Sequence, residues 1–446
     1  MTIPVLALLL VPTVWILAGL ASIVVVKRRH FALDDHPPEV SVLKPLRGLD
    51  QDLERCLETF FTQDHPKFEL VFGVTDANDP ALQIVERLRG RYPNVTARVC
   101  VHSGVGALNP KVDNLAGLLP IARYDLVLVS DSNIRAPRDY LREAATLYRR
   151  YRPGLVTHLF AGVDENGLGS ALENVQLTGF CAAGTALPTL LGDSLLVGKS
   201  ALFSRYRFDR LGGLRRLADV LAEDFVMGKT FAHAGERVLV ASTILENVTR
   251  GTSLKAMCTR HLRWSMLRFR LRPAASMLEP LVNPVALLPL AYVALGPWSI
   301  AWALSLSMIR DCGGWLLLRG PRRLWIPLLL SLPRDLLILG VWAVAPFKKH
   351  VAWRGQRFRL GAGTLLYTEP ERSARRPRRP GPNHPCGIMC RLLCRPSRKD
   401  SPRSIGGNRA HKYYFGFGPH LARRASRSDG CNIATGNLGN RVALSK

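Results

Sequence analysis

Asp131 stands at the end of a short apolar run, Leu126-Val127-Leu128-Val129, and is followed by Ser132 and Asn133. A run of this length suits a buried parallel strand. In an open α/β sheet ligands gather outside the carboxyl ends of the strands, so Asp131 is placed to meet a phosphate-bearing ligand or its metal. A turn in which the side chain bonds its own backbone is the alternative. Asp79 follows another apolar stretch in the same way, within Asp76-Ala77-Asn78-Asp79-Pro80. Lys111, in the loop Asn109-Pro110-Lys111, offers a point charge for a phosphate, or a solvated surface amine. Glu223 and Asp224 are adjacent acids ahead of an apolar run; they read either as an ordinary first helical turn or as an active-site carboxylate with a neighbour. Arg260 and Arg263 fall three apart on one helix face, where both guanidinium groups reach a single pyrophosphate. Trp264 beside them serves either to stack on a ring or to anchor its helix at a membrane interface.

Positioning these groups calls for an α/β scaffold. Val40 to Gly48 reads as a first strand ending in a basic turn, and Asp50 to Phe61 as a helix with acids at its start. A strand over Glu69–Thr75, a helix over Pro80–Arg91 and a strand over Val95–Val101 continue the alternation of a nucleotide-binding half. Val112–Ile121 follows as a helix, then the Asp131 strand, a helix over Tyr140–Arg150 and a strand over Gly154–Phe160. Gly192–Ser200 is expected to be a strand and not a phosphate-binding loop, because the residue five before Gly198 is Asp193. Leu217–His233 reads as a helix carrying Glu223 and Asp224.

The apolar residues are unevenly spread. Ile3 to Val26 carry no charge and are followed by Lys27, Arg28, Arg29 and His30, the pattern of a spanning helix whose carboxyl end is cytoplasmic. Leu281 to Ile309 are again uncharged, broken at Gly296-Pro297, and Leu324 to Phe347 are interrupted at Pro333-Arg334-Asp335. Basic residues flank both stretches on every side, which two re-entrant or broken hairpins would satisfy, whereas simple single crossings would put one basic loop outside; the sequence leaves both open. The domain division expected is an anchor over 1–30, a cytoplasmic α/β domain over 31–275, membrane segments over 276–350, a basic juxtamembrane segment over 351–370 and a basic disordered tail over 371–446. Of the net charge of +27, 17 basic residues against three acidic ones place +14 in that tail. The folded part is therefore not expected to bind nucleic acid, and the anionic phospholipid bilayer is the partner the basic juxtamembrane residues suit. The nine cysteines are scattered, as befits a reduced compartment. Cys386, Cys390 and Cys394 with His384 only faintly resemble zinc ligands.

Asp79, Asp131, Asp224 and Arg260-x-x-Arg263-Trp264 occur in this order between an anchor and a membrane region. That set resembles the D, D, D, (Q/R)xxRW pattern of inverting family-A glycosyltransferases. More closely it resembles the ceramide glucosyltransferase family and its bacterial hopanoid-biosynthesis relatives, through Leu43-Lys44-Pro45-Leu46-Arg47-Gly48, Glu58-Thr59-Phe60-Phe61, Asn109-Pro110-Lys111 and Ala222-Glu223-Asp224, over roughly residues 1 to 360. The resemblance implies a GT-A nucleotide-sugar-binding domain with an N-terminal transmembrane anchor and a C-terminal multi-helix membrane region. It implies transfer of glucose or N-acetylglucosamine from a UDP-sugar to a ceramide or polyol hopanoid hydroxyl, at the cytoplasmic face of, by composition, a bacterial inner membrane. Asp79 and Asp131 would then line the UDP-sugar site with Lys111, Asp224 would be the general base, and Arg260, Arg263 and Trp264 would close over the diphosphate and acceptor.

The sequence departs from the wider processive synthases at Asn133, where their Asp-x-Asp motif has its second acid. Asp131 is left as the expected ligand for Mg²⁺ or Mn²⁺, with one carboxylate fewer. Two rivals remain at this stage: a processive polysaccharide synthase, and a non-catalytic basic membrane scaffold. The scaffold accounts for charge and apolar segments but not for acids set at strand ends.

Overall fold

A computed structural model describes residues 2–193, 195–353, 356–368 and 432–433. The remaining tail, with its expected disorder and its Cys386, Cys390, Cys394 and His384 cluster, lies outside the described residues.

Helix α1 (Thr2–Lys27) is uncharged until Lys27. Beyond a Pro-containing linker, β1 (Val40–Pro45), α2 (Leu53–Phe61), β2 (Phe68–Val74), α3 (Ala81–Arg91) and β3 (Ala97–Val101) alternate. α4 (Pro110–Leu118) then leads to β4 (Leu126–Ser130), the two-residue β5 (Ile134–Arg135), α5 (Tyr140–Tyr151) and β6 (Leu155–Val163). The next elements are α6 (Leu168–Gln176), a π-helical turn at Leu177–Cys181, α7 (Ala182–Leu190), β7 (Ser200–Ser204), α8 (Arg205–Arg210), α9 (Glu223–His233), β8 (Val238–Val248) and α10 (Leu254–Leu271).

The main sheet runs β3-β2-β1-β4-β7-β6-β8-β5. β3, β2, β1 and β4 are parallel, whereas β7 is antiparallel to both β4 and β6. All six residues of β1 are buried, as a strand covered on both faces requires. α2 covers it with Leu53, Cys56, Leu57, Phe60 and Phe61, which recur at helical spacing and are all buried. On the other face α4 inserts Asn114, whose Nδ2 donates to the carbonyls of Leu46 and Gly73 at 3.1 and 3.0 Å. Those carbonyls lie where β1 and β2 end, so one buried amide fixes the middle of α4 against the carboxyl edge of the sheet.

Two sequence expectations are corrected here. Gly192, Asp193 and Leu195–Lys199 form no strand, and β7 begins only at Ser200, because the Gly198 backbone bonds side chains and not a neighbouring strand. The helix expected over Leu217–His233 begins only at Glu223. The preceding residues pair elsewhere: Leu221 N–H donates to Thr364 O at 2.9 Å, and Leu366 N–H to Asp219 O at 2.7 Å.

After α10 come α11 (Pro273–Leu278), α12 (Leu288–Leu295), α13 (Trp298–Arg319) and α14 (Trp325–Val344). Gly296, at φ +55°, separates α12 from α13. α14 passes through Pro333 without a break, although Pro333-Arg334-Asp335 interrupts the apolar stretch there. Two helical stretches, Pro4–Lys27 and Trp325–Phe347, are long and apolar enough to cross a membrane. α1 is packed through small residues: Gly19 faces Ala183 of α7, and Leu20 fills the space over Gly313 of α13. A three-stranded antiparallel sheet, β9 (His350–Trp353), β10 (Gln356–Leu360) and β11 (Leu366–Thr368), packs Val351, Phe358, Leu360 and Leu366 with Met266 and Leu221. β12 (Asn432–Ile433) adds to the free edge of β3.

α6 and α10 meet at Gly169, where an added Cβ would press into the Thr252–Leu254 backbone well inside van der Waals contact. Backbone cannot rotate away as a side chain can. Gly169→Ala is expected to cost about 1–3 kcal/mol, read as a lower unfolding midpoint in detergent.

Candidate active site

The antiparallel register of β4 and β7 pairs Ser130 with Ser200 and so sets Lys199 beside Asp131. Lys199 Nζ lies 2.9 Å from Asp131 Oδ2, and Lys111 Nζ lies 2.8 Å from Asp131 Oδ1. Burial alone would raise the acid's pKa, but the two ammonium groups of Lys111 and Lys199 hold Asp131 well below the ordinary carboxylate range. Burial likewise works against the Lys111 ammonium; Asp131, Glu223 and Asp224 outweigh it and keep Lys111 above the ordinary lysine range. Beneath them Lys44 is fully buried, 3.2 Å over the Phe60 ring, with Nζ 3.1 Å from Ser130 Oγ and 2.9 Å from Asp131 O. Burial lowers Lys44 well below the usual lysine value.

Asn109-Pro110-Lys111 is the start of α4. Asn109 Oδ1 accepts from Lys111 N–H and Val112 N–H at 2.9 and 3.1 Å, and Pro110 occupies the first turn, where no N–H is needed. The same Asn109 donates through Nδ2 to Val220 O at 2.7 Å and to Glu223 Oε2 at 3.2 Å, so the α4 cap also locates the start of α9. Glu223 Oε1 lies 3.3 Å from Lys111 Nζ. Burial pushes the Glu223 carboxyl up despite Lys111.

Asp224 Oδ2 accepts from Gly198 N–H at 2.7 Å, while Gly198 O accepts from Lys111 Nζ at 3.0 Å. Gly198 is therefore the bridge between the Asp131 and Asp224 halves. A Cβ on it would lie 3.1 Å from Asp224 Oδ2 and 3.2 Å from Lys111 Nζ. Gly198→Ala is expected to move the Asp224 carboxylate by tenths of an ångström and lower kcat by about tenfold, with the thermal midpoint little changed; steady-state kinetics beside thermal unfolding checks it.

The other sequence candidates are dispersed around this core. Asp79 is buried, and its carboxylate accepts from Gly48 N–H at 3.0 and 2.8 Å and from Ala81 N–H at 2.9 Å. It shapes the loop after β1, where Gly48 takes φ +65°. Arg260 is ion-paired with Glu173 of α6. Arg263 lies 5.8 Å over the Trp353 ring, and Trp264 meets His261 edge-on at 5.1 Å. Burial, then the nearby Arg268, Arg260 and Arg334, push His261 down to about 3.

Lys199 and Glu173 escaped sequence reasoning. Lys199 is marked only by the β4–β7 register, and Glu173 sits in a helix with no motif around it. Lys199 Nζ is also 3.5 Å from Asn133 Oδ1, so a cation already stands between Asp131 and Asn133. Their oxygens suit a divalent ion if Lys199 withdraws. Among the described residues no group of three or more His, Cys, Asp or Glu is gathered for a metal.

The family model described as Glycosyl transferase family 21 matches residues 5–366. Ceramide glucosyltransferase 1 of Caenorhabditis elegans is 27% identical over 358 residues, spanning 76% of this chain and 76% of that protein. Ceramide glucosyltransferase 3 of the same organism is 30% identical over 253 residues, 56% of this chain and 54% of that protein. The ceramide glucosyltransferase of Komagataella phaffii is 26% identical over 314 residues, 57% and 61%. The chain thus spans little more than half the length of two of these three relatives. Among solved structures, the mannosyltransferase PcManGT from Pyrobaculum calidifontis, in complex with GDP-Man and Mn²⁺, is 19% identical at a TM-score of 0.46, over 77% of this chain and 98% of that one. The match over residues 5–366 takes in every residue of the site just described, and the chain belongs to glycosyl transferase family 21.

Proposed function

We propose that this chain is a membrane-bound GT-A hexosyltransferase that moves glucose or N-acetylglucosamine from a UDP-sugar to a hydroxyl of a membrane lipid, with inversion. The observation that carries this reading is the linked array of Asp131, Lys111, Lys199, Gly198 and Asp224 at the carboxyl edge of the sheet. It combines fixed positive charge for a diphosphate with a carboxylate within one residue's reach.

In the reaction Asp224 takes the proton of the acceptor hydroxyl as its oxygen attacks the anomeric carbon. The bond between that carbon and UDP breaks, and the electron pair leaves with the diphosphate. Lys111 and Lys199, already oriented by Asp131, meet the charge that develops there. Asp79 keeps the loop after β1 in shape beside them. Arg260, Arg263 and Trp264 close over the diphosphate and the acceptor. Asp131 and Asn133 would hold a divalent cation, Mg²⁺ or Mn²⁺, which supplies further charge neutralisation for the leaving group.

The acceptor is an alcohol on an apolar anchor, which fits ceramide and polyol hopanoid alike. Support for a bilayer as its source comes from the spanning-length helices and from Lys27, Arg28 and Arg29 at the end of α1, which favour a cytoplasmic catalytic domain, in a bacterium at the inner membrane. The test is mass spectrometry of lipids after membranes containing the chain are incubated with labelled UDP-glucose or UDP-N-acetylglucosamine and with each acceptor in turn. One donor and acceptor pair is expected to give a lipid bearing a single sugar. Labelled polymer would point to a processive synthase, and no labelled lipid in any combination would overturn the reading.

A further inference from the structure

Arg260 is a guanidinium of the proposed donor site whose carboxylate partner lies wholly inside the protein. Glu173, on α6, has no exposed side-chain surface, while the Arg260 side chain keeps 33% of its own. The pair therefore joins a fixed acid to a base that can still move. Glu173 is held in place because α6 packs at Gly169 directly onto Thr252–Leu254, the residues that start the Arg260 helix. Besides Arg260, the nearby cation is Lys199, the same ammonium that bonds Asp131. Burial pushes the Glu173 carboxyl up, opposed chiefly by Arg260.

We propose that Glu173 is a positioning residue that competes with the donor diphosphate for Arg260, holding the guanidinium on α6 in the free enzyme and yielding it when a UDP-sugar binds. The inference rests on the assignment of Arg260 to the diphosphate. The Glu173 contact occupies Arg260 Nη1; a phosphate that takes the Nη1–Nη2 edge bidentately takes that donor from the carboxylate, so donor binding breaks the Glu173 contact. UDP release is then driven in part by the return of Arg260 to Glu173, and the pair limits product inhibition.

The test measures UDP affinity by calorimetry, and product inhibition by UDP, on the full chain in detergent for Glu173→Gln, Arg260→Ala and the double variant. Glu173→Gln keeps shape and removes the competing charge; UDP is expected to bind at least about fivefold tighter, as loss of one charge-assisted contact implies, with a lower apparent inhibition constant. Arg260→Ala is expected to weaken UDP. In the double variant the tightening should vanish, because Glu173 acts through Arg260. Tightening that persists with Ala at position 260 would mean simple removal of negative charge and would overturn the proposal. Unchanged or weaker UDP binding in folded Glu173→Gln, with Arg260→Ala still weakening it, would overturn the proposal alone. Full UDP affinity in Arg260→Ala would overturn the Arg260 assignment as well. Glu173→Asp, which retracts the charge by one methylene, gives the same comparison with a smaller shift if the amide folds poorly.

Discussion

Asp224→Asn is expected to lower kcat by about 10²–10⁴-fold, the usual contribution of a positioned general base, while UDP binds within a few-fold of the parent affinity. The amide keeps the size of the carboxylate and can accept from Gly198 N–H or from Phe225 N–H, one of the two bonds that place Asp224, since these go to different oxygens. Size and one positioning bond are thus preserved and basicity is lost. Glu223→Gln makes the contrast: that carboxylate is engaged by Lys111 and Asn109, and its loss should disturb Lys111 and donor binding as well as turnover. Kinetics and UDP calorimetry on both variants separate the roles. Turnover preserved in Asp224→Asn would remove this residue from the chemistry.

Arg334→Leu is expected to destabilise the chain by about 3–5 kcal/mol, the range for breaking a buried ion pair on one side. Arg310, Asp311, Arg334 and Asp335 are at most 3% exposed. Arg310 bonds Asp311 at 2.8 Å and Asp335 at 2.8 Å; Arg334 pairs with Asp311, lies 3.0 Å from Asp335 and donates to Gln176 Oε1 at 2.9 Å. The network is neutral, two charges of each sign, and it ties α13 and α14 to α6. Without Arg334, two buried carboxylates share one guanidinium and Gln176 loses its donor. Thermal unfolding in detergent is the measurement; an unchanged midpoint would mean that water reaches the network.

The parts of the site that follow short apolar strands were legible in the sequence, because a strand end and a carboxylate are both local features. Asp131 and Asp79 are of this kind; Asn109-Pro110-Lys111 reads as a loop ahead of a helix at Val112, whereas Asn109 caps a helix that already begins at Pro110. Lys199 was not, since its place depends on β7 running antiparallel beside β4, a pairing between segments some 70 residues apart. Leu195-Leu196-Val197 looks like a strand core, yet Gly198 uses its backbone on Asp224 and Lys111, so no ladder forms there. Ala218–Ala222 has helical composition but bonds Thr364 and Leu366, nearly 150 residues away, which delays α9 until Glu223. Arg260 and Arg263 do share a helix, as their spacing required; their head groups separate because Glu173 and Trp353, invisible to spacing, take one each. In the apolar region the Gly296 break was readable from Gly-Pro, whereas Pro333 stayed inside α14.

The most direct measurement is the anomeric configuration of the sugar on the lipid product, read by proton NMR after turnover of an α-linked UDP-sugar. Single displacement with Asp224 as base gives a β-linked lipid glycoside. An α-linked product would require a second displacement or a front-face departure, and would contradict the one-base mechanism built on Asp224, Lys111 and Asp131.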